Sequence, residues 1–175
     1  MNIRMGIGYD VHRLVKQRKL VLGGVTFDSE RGLEGHSDAD VLCHAIGDAL
    51  LGALAMGDLG THFPPSDEKW KDASSLDLLK MIRAMLDGRG SQVVNVDASV
   101  VCEEPKLAPR RDEMVMNVAQ ALKVAADQVS IKATTNEKLG FAGRGEGIAA
   151  MAVAVVTAAT RTATAARGGI SEIEL

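Results

Sequence analysis

Aromatic side chains are nearly missing from this chain of 175 residues. Phe, Tyr and Trp make up 3%, and Tyr9, Phe27, Phe63, Trp70 and Phe141 are the whole supply. Aromatics bury more area per residue than other side chains, so the core has to be assembled from Ala, Val, Leu, Ile and 8 Met. Such small side chains let backbones approach closely, and a core of this kind points to stability borrowed from subunit contacts. Oligomerisation is the first expectation. Cysteine is scarce too: Cys43 and Cys102 stand far apart and make no disulfide framework, which suits a reducing cytoplasm. No run approaches the roughly 18 apolar residues that span a bilayer, and the opening MNIRMGIGYD lacks the apolar stretch of a signal peptide. Positive charge has no surplus, since Lys+Arg 20 against Asp+Glu 23 leaves a net charge of −3. General nucleic-acid binding, which needs a basic face, is therefore excluded. The expected partners include neither nucleic acid nor membrane.

What is present is ordinary globular material, 46% hydrophobic and 25% charged, at a length that favours one domain. Short apolar stretches at 3–9, 20–27, 92–101, 129–134 and 148–156 read as strands. The run after Ser37 has helical spacing, with Ser37 or Asp38 as N-cap and Gly57 as its end. Two more helices are expected, one opening at Ser74 or Ser75 and closing at Gly88, the other over about 110–124. A long loop over 57–73 holds two consecutive prolines, and loops of that length tend to be functional. The pattern is α+β, with helices packed on a sheet.

The chemistry gathers in three clusters. In Gly8-Tyr9-Asp10-Val11-His12, an extended backbone would project Asp10 and His12 to one face. A carboxylate and an imidazole joined by one further imidazole form a three-ligand site with an open position, the catalytic rather than the structural zinc pattern. His44, on an Ala/Leu-rich helix, is the best third ligand; the plainer reading is a core histidine bonded to Asp48 one turn on. In His36-Ser37-Asp38-Ala39-Asp40, helix capping accounts for Ser37 and the acids but not for His36. A cation-capable ring just outside a helix N-terminus makes sense with an anionic ligand between them, so His36 and Ser37 are candidate ligand contacts. The third cluster, Lys132–Lys138, offers Thr134 and Thr135 hydroxyls to an oxyanion and the Glu137 carboxylate to a cation. Beside it, Phe141 and Arg144 stand in a glycine-dense loop that matches no P-loop or dinucleotide fingerprint. Lys106 follows a strand and suits a phosphate or nucleotide edge.

Four motifs, G-Y-D-V-H-R at 8–13, H-S-D-A-D-V at 36–41, G-D-L-G at 57–60 and K-A-T-T-N-E-K-L-G-F-A-G-R-G-E-G-I-A at 132–149, resemble the 2-C-methyl-D-erythritol 2,4-cyclodiphosphate synthase family in order and spacing. The resemblance covers residues 1–158 as a single domain, and 159–175 form a C-terminal extension outside the common core. It implies a mixed four-stranded sheet with helices on one face, three such sheets packing together in a homotrimer with active sites between subunits. On this reading the run Ala149–Ala154 would let the sheets pack closely about the axis.

The resemblance further implies a Zn²⁺ held by Asp10, His12 and His44, and a second divalent ion, Mg²⁺ or Mn²⁺, held by Glu137. His36 and Thr135 would steady charge developing in the reaction. Ser37, Asp58, Gly60 and Phe63 would face the substrate's erythritol and phosphate part, while Lys106 and Thr134 hold the cytidine nucleotide. Phe141 and Arg144 match positions near the site mouth and a central channel able to take an isoprenoid diphosphate. The implied reaction closes a cyclic diphosphate and expels CMP. Two departures stand out: Pro65 replaces a substrate-facing aspartate, and Glu103 and Glu104 put acid in the nucleotide segment. A zinc phosphoesterase using the same ligands, or a trimeric binding protein with structural zinc, are the competing readings. The open three-ligand set speaks against the second, since structural zinc usually has four protein ligands.

Overall fold

In the computed structural model residues 2–159 are described. The extension expected from Ala159 onward therefore lies, beyond that residue, outside the described residues. Strand β1 (Asn2–Lys16) is longer than its apolar start suggests, because it runs on through the Asp10–His12 cluster. Its alternation is strict. Gly6, Gly8, Asp10 and His12 share one face, while Ile3, Met5, Ile7, Tyr9 and Val11 share the other. Next comes a hairpin where one strand is expected over 20–27. β2 (Leu20–Leu22) and β3 (Val25–Phe27) turn about Gly23 and Gly24, whose φ values of 57° and 72° give the two positive positions of a tight hairpin turn. β4 (Arg31–Leu33) then pairs with Leu14–Lys16 at the far end of β1.

The remaining strands are β5 (Gln92–Val101), β6 (Val129–Thr134) and β7 (Gly147–Ala158). The sheet order is β4-β1-β7-β5-β6, antiparallel except for the β5–β6 pair. It is a mixed sheet of five strands rather than the expected four. The added strand is the three-residue β4, which the long β1 leaves room for at its end.

Helices α1 (Val41–Ala53), α3 (Ser75–Asp87) and α4 (Arg111–Leu122) pack together, with α1 lying across β1, β7 and β5 and α4 against β6. Two single-turn helices, α2 (Leu59–His62) and α5 (Gly140–Gly143), sit inside the stretches expected as loops. No helix among the described residues is long and apolar enough to cross a membrane.

The lack of aromatics has a direct structural counterpart in how α1 meets the sheet. A Cβ added at Gly8 would lie 1.9 Å from the Ala45 carbonyl oxygen, and one at Gly6 would lie 2.1 Å from that of Ala49. Helix backbone rests on strand backbone, with no room for a side chain between. Ala150, Ala152 and Ala154 of β7 are buried on this same helix-facing side. Within the run Ala149–Ala154, expected to serve packing between subunits, Ala150, Ala152 and Ala154 instead seat α1, and Met151 and Val153 alternate with them toward the outside. Leu42, Ile46, Leu50, Leu79, Ile82, Leu86, Met114 and Leu122 fill the helical layer. The opposite sheet face is bare and apolar, with Met5 71% and Ile7 74% exposed.

Helix capping also departs from the sequence reading. Asp40, not Ser37 or Asp38, caps α1: its carboxylate accepts from Cys43 N at 3.1 Å and from Gly24 N at 2.7 Å. Burial pushes its carboxyl up from the usual range. The helix ends at Leu54 rather than at Gly57. Asp38 reaches elsewhere, to the first turn of α3, where it accepts from Ser75 N at 3.0 Å.

Candidate metal centre and active site

Because β1 is extended and pleated, Asp10 and His12 both face α1, and the first turn of that helix brings His44 onto them. Asp10 Oδ2 lies 2.8 Å from His12 Nε2 and 2.9 Å from His44 Nδ1, and the two ring nitrogens are 3.1 Å apart. Among the described residues this is the one group of three such side chains able to hold a metal ion. His12 Nδ1 is 2.5 Å from the Glu34 carbonyl, which can only accept, so that nitrogen carries a proton and Nε2 is left as the one that can ligate a metal. Two imidazole nitrogens and a carboxylate oxygen converging on one point form a borderline-soft donor set suited to a divalent transition ion. Burial alone would raise the Asp10 carboxyl, but hydrogen bonds and charge from His12 and His44 outweigh it and hold the group well below the usual range. The same contact works in reverse on His12: burial lowers its pKa, and the Asp10 bond and charge raise it by more.

The plainer reading of His44 does not stand. Asp48 accepts from Leu59 N at 2.8 Å instead, and His44 turns its Nε2 toward Ser75 Oγ at 3.0 Å and Ser37 Oγ at 3.1 Å.

A cavity of about 180 Å³ opens beside this group, lined by His12, His36, Ser37, His44, Gly60, Phe63, Pro65 and Trp70 among others. Four of the expected substrate contacts, His36, Ser37, Gly60 and Phe63, are therefore brought together beside the triad. Asp58 is not among the lining residues. It caps α2, accepting from Thr61 N and Oγ1, both at 2.8 Å. Pro65 presents an apolar ring to the cavity where an aspartate was expected. Trp70 completes an aromatic wall, standing edge-on to Phe63 with centroids 5.0 Å apart.

The other expected residues lie elsewhere. Val11, Ala149, Val101 and Thr134 are register partners across β1, β7, β5 and β6. Three spacings of roughly 4.8 Å put Thr134 about 14 Å from the neighbour of Asp10. Beyond β6, Thr135 Oγ1 donates to Glu137 Oε1 at 2.9 Å, and both residues sit in a turn that Glu103 holds. Glu103 accepts from Asn136 N at 3.1 Å, Lys138 N at 3.2 Å and Lys138 Nζ at 2.6 Å. The unexpected acid at 103 is therefore a clamp on the Thr135–Glu137 turn and not a group aimed outward. Lys106 is exposed nearby. Phe141 and Arg144 line a third region, a cavity of about 540 Å³ shared with His12, Arg13 and Arg31, and Arg144 pairs with Glu146 at 2.8 Å.

Comparison with known proteins now decides the family, because the YgbB family model matches residues 3–157. The chain belongs to the YgbB family. A relative from Geotalea uraniireducens named 2-C-methyl-D-erythritol 2,4-cyclodiphosphate synthase is 56% identical over 154 residues, covering 88% of this chain and 98% of its own. Among solved structures, a bifunctional IspDF from Campylobacter jejuni superposes with a TM-score of 0.86 at 39% identity; the match covers 90% of this chain and 42% of that longer one. An IspF–CDP complex from Plasmodium falciparum gives a TM-score of 0.79 at 32% identity, covering 90% of this chain and 97% of that one.

Within the YgbB-family site, three contributors escaped the sequence reading. Trp70 was noted only for its rarity. Ser75 was read as a helix start, and the Glu34 carbonyl had no side-chain signal at all. Each reaches the site from another part of the chain, so no local motif marks it.

Proposed function

We propose that this chain converts 4-CDP-2-C-methyl-D-erythritol 2-phosphate to 2-C-methyl-D-erythritol 2,4-cyclodiphosphate and CMP, in the cytoplasm, as a step of isoprenoid precursor synthesis by the non-mevalonate route. The observation that carries this reading is the convergence of Asp10, His12 and His44 beside a largely apolar cavity, in a chain whose 56%-identical relative bears that name. Both reacting groups are anionic, so positioning and charge neutralisation dominate the barrier. A Zn²⁺ on the triad supplies Lewis-acid neutralisation of a phosphate oxygen. Glu137 is the carboxylate for Mg²⁺ or Mn²⁺, which typically takes one carboxylate plus substrate phosphates. His36, at the cavity wall, and Thr135 steady charge as the 2-phosphate attacks the β-phosphorus and CMP leaves. Ser37, Gly60 and Phe63, which line the cavity, seat the erythritol part, and Lys106 with Thr134 holds the nucleotide.

The two halves of this machinery stand about three strand spacings apart in one chain, roughly 14 Å. That separation, together with the bare apolar face of Ile3, Met5, Ile7, Val11, Met151 and Val153, supports a homotrimer whose sites are completed between subunits. Phe141 and Arg144, beside Arg13 and Arg31, suit an isoprenoid diphosphate at the mouth of the central channel.

Incubating the purified chain with the CDP substrate, Mg²⁺ and Zn²⁺ and following the products by ³¹P NMR tests the reading. CMP with the cyclic diphosphate supports it. CMP with a linear bisphosphate would make the chain a zinc phosphoesterase, and no turnover would make it a binding protein.

A further inference from the structure

We propose that Ser75, anchored by Asp38, is the positioning residue that fixes the tautomer of His44. The proposal rests on the reading of Asp10, His12 and His44 as a metal centre. Ser75 is 1% exposed, so water does not compete for its hydroxyl. That hydroxyl donates to Asp38 Oδ1 in a short bond, while Asp38 Oδ2 accepts from Ser75 N at 3.0 Å. A serine has one hydrogen to give. With it committed to Asp38, Ser75 Oγ can only accept from His44 Nε2, 3.0 Å away. His44 therefore carries a proton on Nε2, which leaves Nδ1, the nitrogen turned to Asp10 Oδ2, as the one that can ligate a metal. Metal-binding histidines commonly hold their outer N–H on a carboxylate or carbonyl; here the carboxylate acts through one intervening hydroxyl.

The arrangement also separates two serines that look equivalent. Ser37 Oγ is 3.1 Å from the same Nε2 and accepts from Ala39 N at 3.1 Å. Because Nε2 is already protonated, it cannot accept from Ser37. The Ser37 hydrogen is left for whatever occupies the cavity it lines. Ser75 sets the metal ligand, and Ser37 is free for the substrate.

The test is zinc affinity, measured by competition with a chromogenic chelator on the full chain. Ser75→Ala should weaken zinc binding roughly 10–100-fold, the range seen when such outer partners are removed. Ser75→Thr, which keeps the hydroxyl, should recover most of that loss, and Ser37→Ala should shift it by less than about threefold. Equal zinc affinity in Ser75→Ala and wild type, or equal losses in Ser75→Ala and Ser37→Ala, would overturn the proposal. A second readout needs no substitution and no metal: ¹⁵N–¹H correlation spectra of the zinc-free wild type should show His44 protonated at Nε2. A His44 protonated at Nδ1 alone would overturn the proposal even if a variant failed to fold. Should wild type bind no zinc, the metal-centre reading fails, while the tautomer still judges the relay on its own.

Discussion

His12→Ala removes a metal ligand from β1, and Glu137→Ala removes a carboxylate beyond the end of β6. The two positions lie in different halves of the proposed site, separated across β7 and β5 by roughly 14 Å. Each variant alone should be close to inactive, since every one of its sites lacks a group. If a site joins the triad of one subunit to the Thr135–Glu137 turn of the next, mixed assemblies behave differently. In an equal mixture, half the subunits offer an intact triad and half an intact turn. A site between random neighbours is whole with probability one half times one half. Co-expressed or co-refolded in equal amounts, the two inactive variants should regain about a quarter of wild-type activity, falling off on either side of equal mixing. CMP release under saturating substrate is the assay. A mixture no more active than its components, from chains shown to exchange, would refute a site shared between subunits.

Other outcomes follow from particular contacts. Gly8→Val would drive a side chain into the Ala45 carbonyl, now 1.9 Å from an added Cβ, and should cost about 3 kcal/mol or more in urea unfolding; a loss under about 1 kcal/mol would mean α1 is free to move. Ile7→Asp places a charge in the middle of the bare sheet face, where Ile7 is 74% exposed in the single chain. Light scattering should show the assembly falling to smaller species while the fold is kept, and an unchanged mass would place the subunit interface elsewhere. Burial pushes the Cys102 thiol up to about 11 and the Cys43 thiol up as well. At pH 8 only about one Cys102 in a thousand is thiolate, so a disulfide reagent should label neither cysteine until the chain is unfolded. Fast labelling of the native chain would contradict the burial.

How much of this was legible beforehand depends on whether the signal was local. The i, i+2 placement of Asp10 and His12 follows from strand pleating alone, and β5 and β6 fall where alternation puts them. The hairpin at 20–27 was hidden because Gly23-Gly24 interrupts a run whose apolar content reads as continuous. β4 escaped notice because three residues, Arg31–Leu33, become a strand only when the end of β1 is there to pair with. The alanines of β7 were assigned to the wrong face for a related reason. Composition says that something packs closely there, but only register and the position of α1 say what. In the site, Asp38 and Ser75 are 37 residues apart in sequence and meet through the packing of α3 against the chain before α1, a pairing no local motif could reveal. Glu103 read as an oddity among phosphate contacts until its bonds to the 136–138 turn gave it a structural task.

The metal centre underlies everything proposed for this chain, and elemental analysis tests it most directly. Wild-type chain loaded with zinc and freed of excess should retain about one ion per chain, and Asp10→Ala, His12→Ala and His44→Ala should each lose most of it. Full zinc occupancy in any of the three variants would contradict the assignment of Asp10, His12 and His44 as the ligands.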